Sequence, residues 1–121
     1  MRLTLQVQLV LRALLADPGR ECYGLEIVEA TGLPPGTIYP IMARLEAAGW
    51  VDSRWELIDQ RAEGRPRRRY YRLTGGPAHP AGEGVGQARA ALAEADARQR
   101  ARRGRRLAGP ASAAGSVSCA G

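Results

Sequence analysis

Two amphipathic segments separated by the short turn "GLPP" constrain the fold of this chain most strongly. The first segment, residues 23–32, carries an apolar face and ends at Gly32, a residue suited to a left-handed helix C-cap. The second segment, residues 33–50, begins with prolines, whose missing N–H groups cost little in the first turn of a helix. Its apolar stripe ends at Gly49, but Pro40 must lie near the first turn or bend the helix. Two helices joined by a short turn are the pattern of a helix-turn-helix, although any small helical protein has such a pair.

The N-terminal residues 3–16 carry two conflicting patterns. Strict apolar–polar alternation over residues 3–9 taken alone favours a strand, whereas the apolar residues from Val7 onward recur at helical spacing. We favour a helix, because Thr4 can cap its start and Pro18 can stop it. Gln6, Gln8 and Arg12 interrupt the apolar run, which argues against a secretory signal, and the run is also too short and too interrupted to span a membrane. We therefore expect a cytoplasmic protein with no membrane association.

Few side chains of this chain suit catalysis or metal binding. Cys22 lies just before a predicted helix and Cys119 in a loose tail, so both are expected to be reduced thiols. His79 is the single histidine, and without clustered cysteines it gives no zinc site. The sequence shows no nucleophile–base pair and no phosphate loop, so we predict neither enzyme activity nor a cofactor.

The charge of the chain points to an acidic partner. Its formal net charge is +6 and its pI is about 10.3. Arginine supplies every one of the 18 Lys and Arg positions, and arginine forks match phosphate and carboxylate groups better than lysine does. Nucleic acid is therefore the first partner to consider, with acidic proteins or anionic membranes as alternatives.

Two segments that follow the helix-turn-helix predict a β-hairpin. Residues 50–57 alternate apolar and charged side chains, residues 67–73 are rich in arginine and tyrosine, and residues 58–66 hold the turn. With Val51 opposite Leu73, an antiparallel register brings complementary side chains together. The pairs predicted by this register are Asp52 with Arg72, Arg54 with Tyr70, Trp55 with Arg69, and Glu56 with Arg68.

Three helices followed by a hairpin are the element order of a winged helix. In that fold the third helix enters the major groove of DNA, and the hairpin wing lies against the backbone or the minor groove. The third helix here starts with "GTIY", whose small and polar groups can approach bases and phosphates. Arg65, which has no partner in the predicted register, lies at the wing tip with Arg67 and Arg68, where all three can neutralise phosphates.

Three motifs in this order resemble the PadR family of bacterial transcriptional regulators. They are "YGLEI", "LPPGTIYPIMARLEAAGW" and "GRPRRRYYRLT", and the resemblance runs from about residue 3 to residue 74. It implies an α+β, mostly helical, winged helix-turn-helix with a two-stranded wing and a C-terminal dimerisation helix. It further implies a homodimer that binds palindromic operators in double-stranded DNA, usually as a repressor. Residues 4–16 then form the first helix, and Pro40 lies near the start of the recognition helix.

The resemblance also implies which residues contact DNA. The recognition helix, the start of the preceding helix and the wing supply the predicted DNA-binding set: Tyr23, Pro35, Gly36, Thr37, Tyr39, Arg44, Arg65, Arg67 and Arg69. Arg44 has an alternative role as the ion-pair partner of an acid on a neighbouring helix. Tyr71 is expected to pack inward, and Trp50 and Trp55 to serve core and wing packing. Members of the family often respond to small aromatic ligands, so a small-molecule effector stays open as a partner.

The chain departs from the family pattern after Thr74. We divide it into a DNA-binding domain (1–74), a Gly/Pro-rich linker (75–86), a C-terminal helix (87–107) and a disordered tail (108–121). The heptad seam predicted for the dimer is thin and consists of Val85, Ala88, Leu92 and Ala95. We therefore expect a dimer that is weak or rests partly on the first helix. The basic run "RQRARRGRR" is either a solvated helix end or a source of non-specific DNA affinity.

Two other classes of function stay open on the sequence alone. RNA or ribosome binding fits the basic charge, but only Tyr70 and Tyr71 share a strand and phenylalanine is absent, so a base-stacking platform is thin. A protein-interaction module would instead use the wing and the third helix to engage an acidic partner.

Overall fold

The computed structural model describes residues 2–76 and 80–107. Its described part forms five helices and three short strands. In chain order these are α1 (Leu5–Leu15), β1 (Cys22–Tyr23), α2 (Gly24–Thr31), α3 (Pro35–Ala47), β2 (Val51–Trp55), α4 (Gln60–Glu63), β3 (Arg69–Leu73) and α5 (Gly84–Leu107). The strands form one antiparallel sheet in the order β1-β3-β2. The predicted α+β, mostly helical, winged helix is confirmed.

Helix α1 resolves the conflict between the two N-terminal patterns in favour of a helix. The Thr4 hydroxyl caps its start by accepting a hydrogen bond from the Val7 N–H at 3.2 Å. The helix buries Val7 and Leu11 completely, whereas Leu5, which belongs to the alternating set, is 70% exposed. The segment forms a helix and not a strand because the helical spacing places one continuous apolar face against the rest of the core.

The turn between α2 and α3 follows the predicted breakers. Gly32 adopts a left-handed conformation with φ 75° and closes α2 by donating its N–H to the Val28 carbonyl at 2.8 Å. Pro34 precedes α3 and Pro35 is its first residue. Pro40 lies inside α3 and has no N–H to donate to the Gly36 carbonyl four residues earlier. The helix tolerates this loss because Gly36 is exposed, so water can bind its carbonyl instead.

The wing hairpin has the predicted register. β2 pairs with β3 so that Val51 faces Leu73, Ser53 faces Tyr71 and Trp55 faces Arg69. Inward packing of Tyr71 is confirmed, since the residue is only 5% exposed. The sheet nevertheless has a third strand, β1, which pairs with β3 and was not predicted because two residues carry no readable alternation.

The connection between the wing strands also differs from a plain turn. Residues 60–63 form the short helix α4, capped by the Asp59 carboxylate, which accepts from the Arg61 N–H at 3.0 Å. Gly64 ends α4 in a left-handed conformation with φ 68°. Leu57, assigned to the strand face by its alternation, lies outside β2 and is 92% exposed.

The C-terminal helix packs on the winged helix of its own chain. It begins at Gly84, where no Cβ could be accommodated against the Trp50 carbonyl. The Thr74 hydroxyl fixes this junction by donating to the Gly49 carbonyl at 2.9 Å and accepting from the Gly84 N–H at 2.8 Å. The predicted tail (108–121) and His79 lie outside the described residues.

The apolar seam of α5 is buried within the chain. Its members Val85, Ala88 and Leu92 join the core cluster formed by α1, α2, α3 and the sheet. An ion pair between Arg12 of α1 and Asp96 of α5, 2.9 Å apart, lies beside this contact. The seam was expected to pack against a second chain. A heptad pattern predicts which face of a helix is apolar, but it does not predict which surface packs against that face.

Candidate nucleic-acid interface

An open groove of about 590 Å³ lies between the wing and the two helices of the helix-turn-helix. Its wall consists of aromatic and apolar side chains from the helices and the strands, with arginines of the wing around them. The lining residues are Tyr23, Gly24, Leu25, Tyr39, Trp55, Arg65, Pro66, Arg67, Arg68, Arg69 and Tyr71. Five of the nine predicted DNA contacts meet here, namely Tyr23, Tyr39, Arg65, Arg67 and Arg69.

The remaining four predicted contacts lie on α3 outside the groove lining. Pro35 and Gly36 occupy the exposed start of the helix, Thr37 is half-buried beside them, and Arg44 is exposed in a later turn. The N–H groups of Thr37 and Ile38 donate to the Pro34 carbonyl at 2.9 and 3.1 Å. A Cβ at Gly36 would meet nothing within 4 Å, so this helix start is open to a ligand. The positive end of a helix in such a position favours an anion.

Tyr39 is held at the edge of the groove by its contact with Gly24. The Tyr39 ring and hydroxyl occupy the space that a side chain at Gly24 would need, so a larger residue at the start of α2 would displace the Tyr39 ring. Tyr39 remains 47% exposed, which leaves its ring accessible from the groove. In the "YGLEI" motif, Tyr23 itself lines the groove, and Gly24 leaves the space that the Tyr39 ring occupies.

Arg65 has a partner, contrary to the expectation from the strand register. Its guanidinium donates to both carboxylate oxygens of Glu56, at 2.7 and 3.1 Å. This contact lowers the pKa of Glu56 to about 2, and a hydrogen bond from the Arg68 N–H acts in the same direction. The strand register could not show the pair, because α4 and the left-handed Gly64 fold the loop back toward β2.

Arg68 was predicted to be held by Glu56 and is placed differently. Only its backbone N–H reaches the Glu56 carboxylate, at 3.3 Å. Its guanidinium lies over the Tyr23 ring, 4.3 Å from the ring centroid. The Tyr23 ring also meets Tyr70 edge-on with centroids 5.7 Å apart, so β1, β3 and the start of α2 share one aromatic cluster.

The predicted stack of Arg69 on Trp55 is confirmed, with the guanidinium 5.0 Å from the ring centroid. Arg69 also lies 3.6 Å from the carboxylate of Glu46 on α3, so its charge is partly balanced. On the other face of the sheet Arg54 donates to Glu21 at 2.7 and 2.9 Å. The Arg54 guanidinium lowers the pKa of the Glu21 carboxyl by this hydrogen bonding.

Two predicted arginines keep an uncompensated charge. Arg67 in the groove and Arg44 on α3 are exposed, and within residues 2–76 and 80–107 neither forms an ion pair with a carboxylate. The alternative role of Arg44 as an ion-pair partner is therefore not seen in this part of the chain. Among the arginines predicted to contact DNA, Arg67 and Arg44 are therefore more available to bind a phosphate than Arg65.

Leu25 and Trp55 are groove residues that the sequence analysis did not assign to the interface. They are 54% and 52% exposed, and both line the groove beside Tyr39. The alternating pattern of β2 did place Trp55 on one face, but it could not show that this face lines a groove.

The described residues contain no group of three or more potential ligands that could hold a metal ion. Among the same residues, no helix combines the length and the apolar character that crossing a membrane requires.

Comparison with known proteins identifies the family. The profile of the "Transcriptional regulator PadR-like family" matches residues 11–77. No curated protein sequence matches the chain.

Solved structures share the fold. A PadR family transcriptional regulator from Eggerthella lenta DSM 2243 has a TM-score of 0.62 and 25% identity, covering 86% of this chain and 88% of its own. A PadR family regulator from Clostridium difficile R20291 has a TM-score of 0.57 and 22% identity, covering 88% of this chain and 100% of its own. BpsR of Bordetella bronchiseptica, whose DNA binding is regulated by 6-hydroxynicotinic acid, has a TM-score of 0.58 and 23% identity, covering 83% of this chain and 61% of its own. Because the profile matches more than half of a chain with this winged-helix fold, the protein belongs to the PadR-like family of transcriptional regulators, which are transcription factors and not enzymes.

Proposed function

We propose that the protein is a sequence-specific repressor that acts in the cytoplasm as a homodimer on a roughly palindromic operator. The observation that carries the proposal is the groove between α3 and the wing, in which exposed aromatic residues and arginines meet beside an open helix start. A major groove admits one α-helix, and phosphates on either side of it suit the helix start and the wing.

Each element has a distinct part in the proposed complex. The first turns of α3 enter the major groove, where Thr37 and Tyr39 face base edges and Arg44 reaches a base or the adjoining phosphate. Arg67 in the wing neutralises a phosphate, while Arg65 and Arg69 are already balanced by Glu56 and Glu46 and add less.

The proposed homodimer cannot use the apolar seam of α5 as it stands, because that face is covered by the chain itself. The remaining surface of α1 and α5 includes Leu5, which is 70% exposed and lies near the start of α1. We place the dimer contact there. Light scattering at several protein concentrations tests this part, and Leu5→Glu should shift the population toward monomer if the placement is correct.

The DNA upstream of the protein's own gene is the first operator to test. The proposal predicts retention of this duplex at concentrations that leave a scrambled duplex of the same composition free. It also predicts lower expression of a reporter placed behind this DNA when the protein is present. Equal binding to both duplexes would remove sequence specificity from the proposal, and a rise in reporter expression would make the protein an activator.

A small-molecule effector forms the second part of the proposal. The fold supports ligand-regulated DNA binding in BpsR. A ligand in the groove of this protein would compete directly with DNA, since the groove residues are also the ones that we propose to contact DNA. Release of bound operator by small aromatic acids, measured by fluorescence anisotropy, tests this part.

A further inference from the structure

The last turns of α5 carry the entire net charge of the protein. The sequence contains 18 arginines and 12 acidic residues, and residues 98–106 contain six of these arginines and none of the acids. The rest of the chain therefore holds twelve residues of each sign, and the formal charge of +6 is confined to nine consecutive residues. The winged helix, residues 1–74, holds eleven arginines and nine acidic residues, so its own net charge attracts DNA only weakly from a distance.

These arginines are free to meet a partner. All six are exposed: Arg98, Arg100, Arg102, Arg103, Arg105 and Arg106. Within the described ranges 2–76 and 80–107 none of them forms an ion pair, whereas five arginines elsewhere do: Arg12, Arg20, Arg54, Arg65 and Arg69. The nearest carboxylate along α5, Asp96, is already engaged by Arg12 at 2.9 Å.

Stabilisation of the helix end does not explain this concentration of charge. A helix dipole favours cations in its last turn, where Arg105 and Arg106 lie, and the effect falls off within that turn. Arg98 and Arg102, four residues apart on a helix, repel each other, as do Arg102 and Arg106. A polyanion bound along this segment would convert that repulsion into attraction.

We propose that the end of α5 is a second phosphate-binding surface, which contacts the backbone of duplex DNA whatever its sequence. This inference rests on the proposed function only in taking duplex DNA as the partner. These arginines point in several directions around the helix and do not form a single row that could enter a groove. Contact with the phosphate backbone therefore fits them better than contact with bases. Arg98 and Arg102 line a shallow hollow with Leu3 and Gln8 at the N-terminal end of α1.

Helix geometry places Arg100 and Arg103 away from that hollow, whereas Arg106 follows Arg102 on the same side of the helix, one turn beyond the lining residues. Arg100, Arg103 and Arg106 are the arginines best placed to reach phosphates. The test variant is therefore Arg100→Gln/Arg103→Gln/Arg106→Gln, which keeps strong helix formers and removes three charges. The matched control is Arg2→Gln/Arg61→Gln/Arg89→Gln, which removes three exposed arginines that are likewise without ion pairs in the described part of the chain.

The measurement is the affinity for a duplex of arbitrary sequence at several salt concentrations. Each phosphate contact contributes about 0.9 to the slope of log K against log salt, so the test variant should lose about two to three from the wild-type slope. The control should lose less than one. The preference for operator over arbitrary duplex should stay unchanged in both variants.

Other results would overturn the inference. An unchanged salt slope in the test variant would show that this surface does not contact phosphates. Altered dimerisation with an unchanged slope would assign the arginines to acids of a second copy, and loss of binding to an RNA hairpin alone would assign them to RNA. Failure of the proposed function would be seen separately, as wild-type protein that binds operator and arbitrary duplex equally.

Discussion

Arg67→Ala isolates the charge that the groove offers to DNA. Arg67 is exposed, lines the groove and forms no ion pair within residues 2–76 and 80–107. Its removal should therefore cost one phosphate contact and leave the fold intact. One contact contributes about 0.9 to the salt slope, which corresponds to about a fivefold loss of affinity near 0.15 M salt. The free energy of unfolding should change by less than about 0.5 kcal/mol, as for other exposed positions.

Arg61→Ala is the matched control for this prediction. Arg61 is an exposed arginine of α4 in the same wing loop, but it does not line the groove. Fluorescence anisotropy with a labelled operator, repeated across a salt series, measures affinity and slope together. A normal slope for Arg67→Ala combined with a reduced slope for Arg61→Ala would show that DNA meets the tip of the wing loop and not the groove.

Substitutions at four further positions, Tyr71, Gly24, Gly36 and Glu56, separate effects on stability from effects on recognition. Tyr71→Ala empties a site that is 5% exposed and should lower the free energy of unfolding by about 3–5 kcal/mol, measured by urea denaturation, with Tyr71→Phe largely retaining stability. Gly24→Ala should lower the free energy of unfolding by about 1–3 kcal/mol, because its Cβ displaces the Tyr39 ring. Gly36→Ala should keep or raise this free energy and should weaken operator binding. A Gly24→Ala protein more stable than the Gly36→Ala protein would contradict the packing described. The folded pKa of Glu56, about 2, lies below its usual value, so its contribution to stability is complete above about pH 4.5 and is lost as pH falls toward 2. Urea midpoints of Glu56→Gln should be lower than those of the wild type at neutral pH and should converge with them in acid; a constant difference would contradict the assigned ion pair.

Much of the fold could be predicted from local patterns. The register chosen for the hairpin, with Val51 opposite Leu73 and Asp52 opposite Arg72, is the one observed, although alternation predicts only the faces of the strands and not the pairing. The boundaries of α2 and α3 followed from Gly32 and the two prolines, whose backbone preferences act within one turn. The first helix was favoured by Thr4 and Pro18, and the family resemblance strengthened this prediction, since alternation and helical spacing coexist in the same residues.

The charges of the site were less predictable than its backbone. Whether Arg65 or Arg68 pairs with Glu56 depends on the path of the loop through α4, which cross-strand pairing does not include. The groove itself depends on Gly24 admitting Tyr39 from another helix, a tertiary contact with no local signature. The seam of α5 was recognised as apolar, but its burial against α1 and the core is also a tertiary property.

We propose above all that α3 and the wing together read one DNA sequence. The most direct measurement compares the affinity of wild-type protein for the duplex upstream of its own gene with that for a scrambled duplex at one fixed salt concentration. We expect a preference of about 10³-fold or more for the upstream duplex, in the range of specific regulators, and we expect Tyr39→Ala to lose this preference. Equal affinity for the two duplexes, or a preference that survives Tyr39→Ala and Arg44→Ala together, would contradict the proposal.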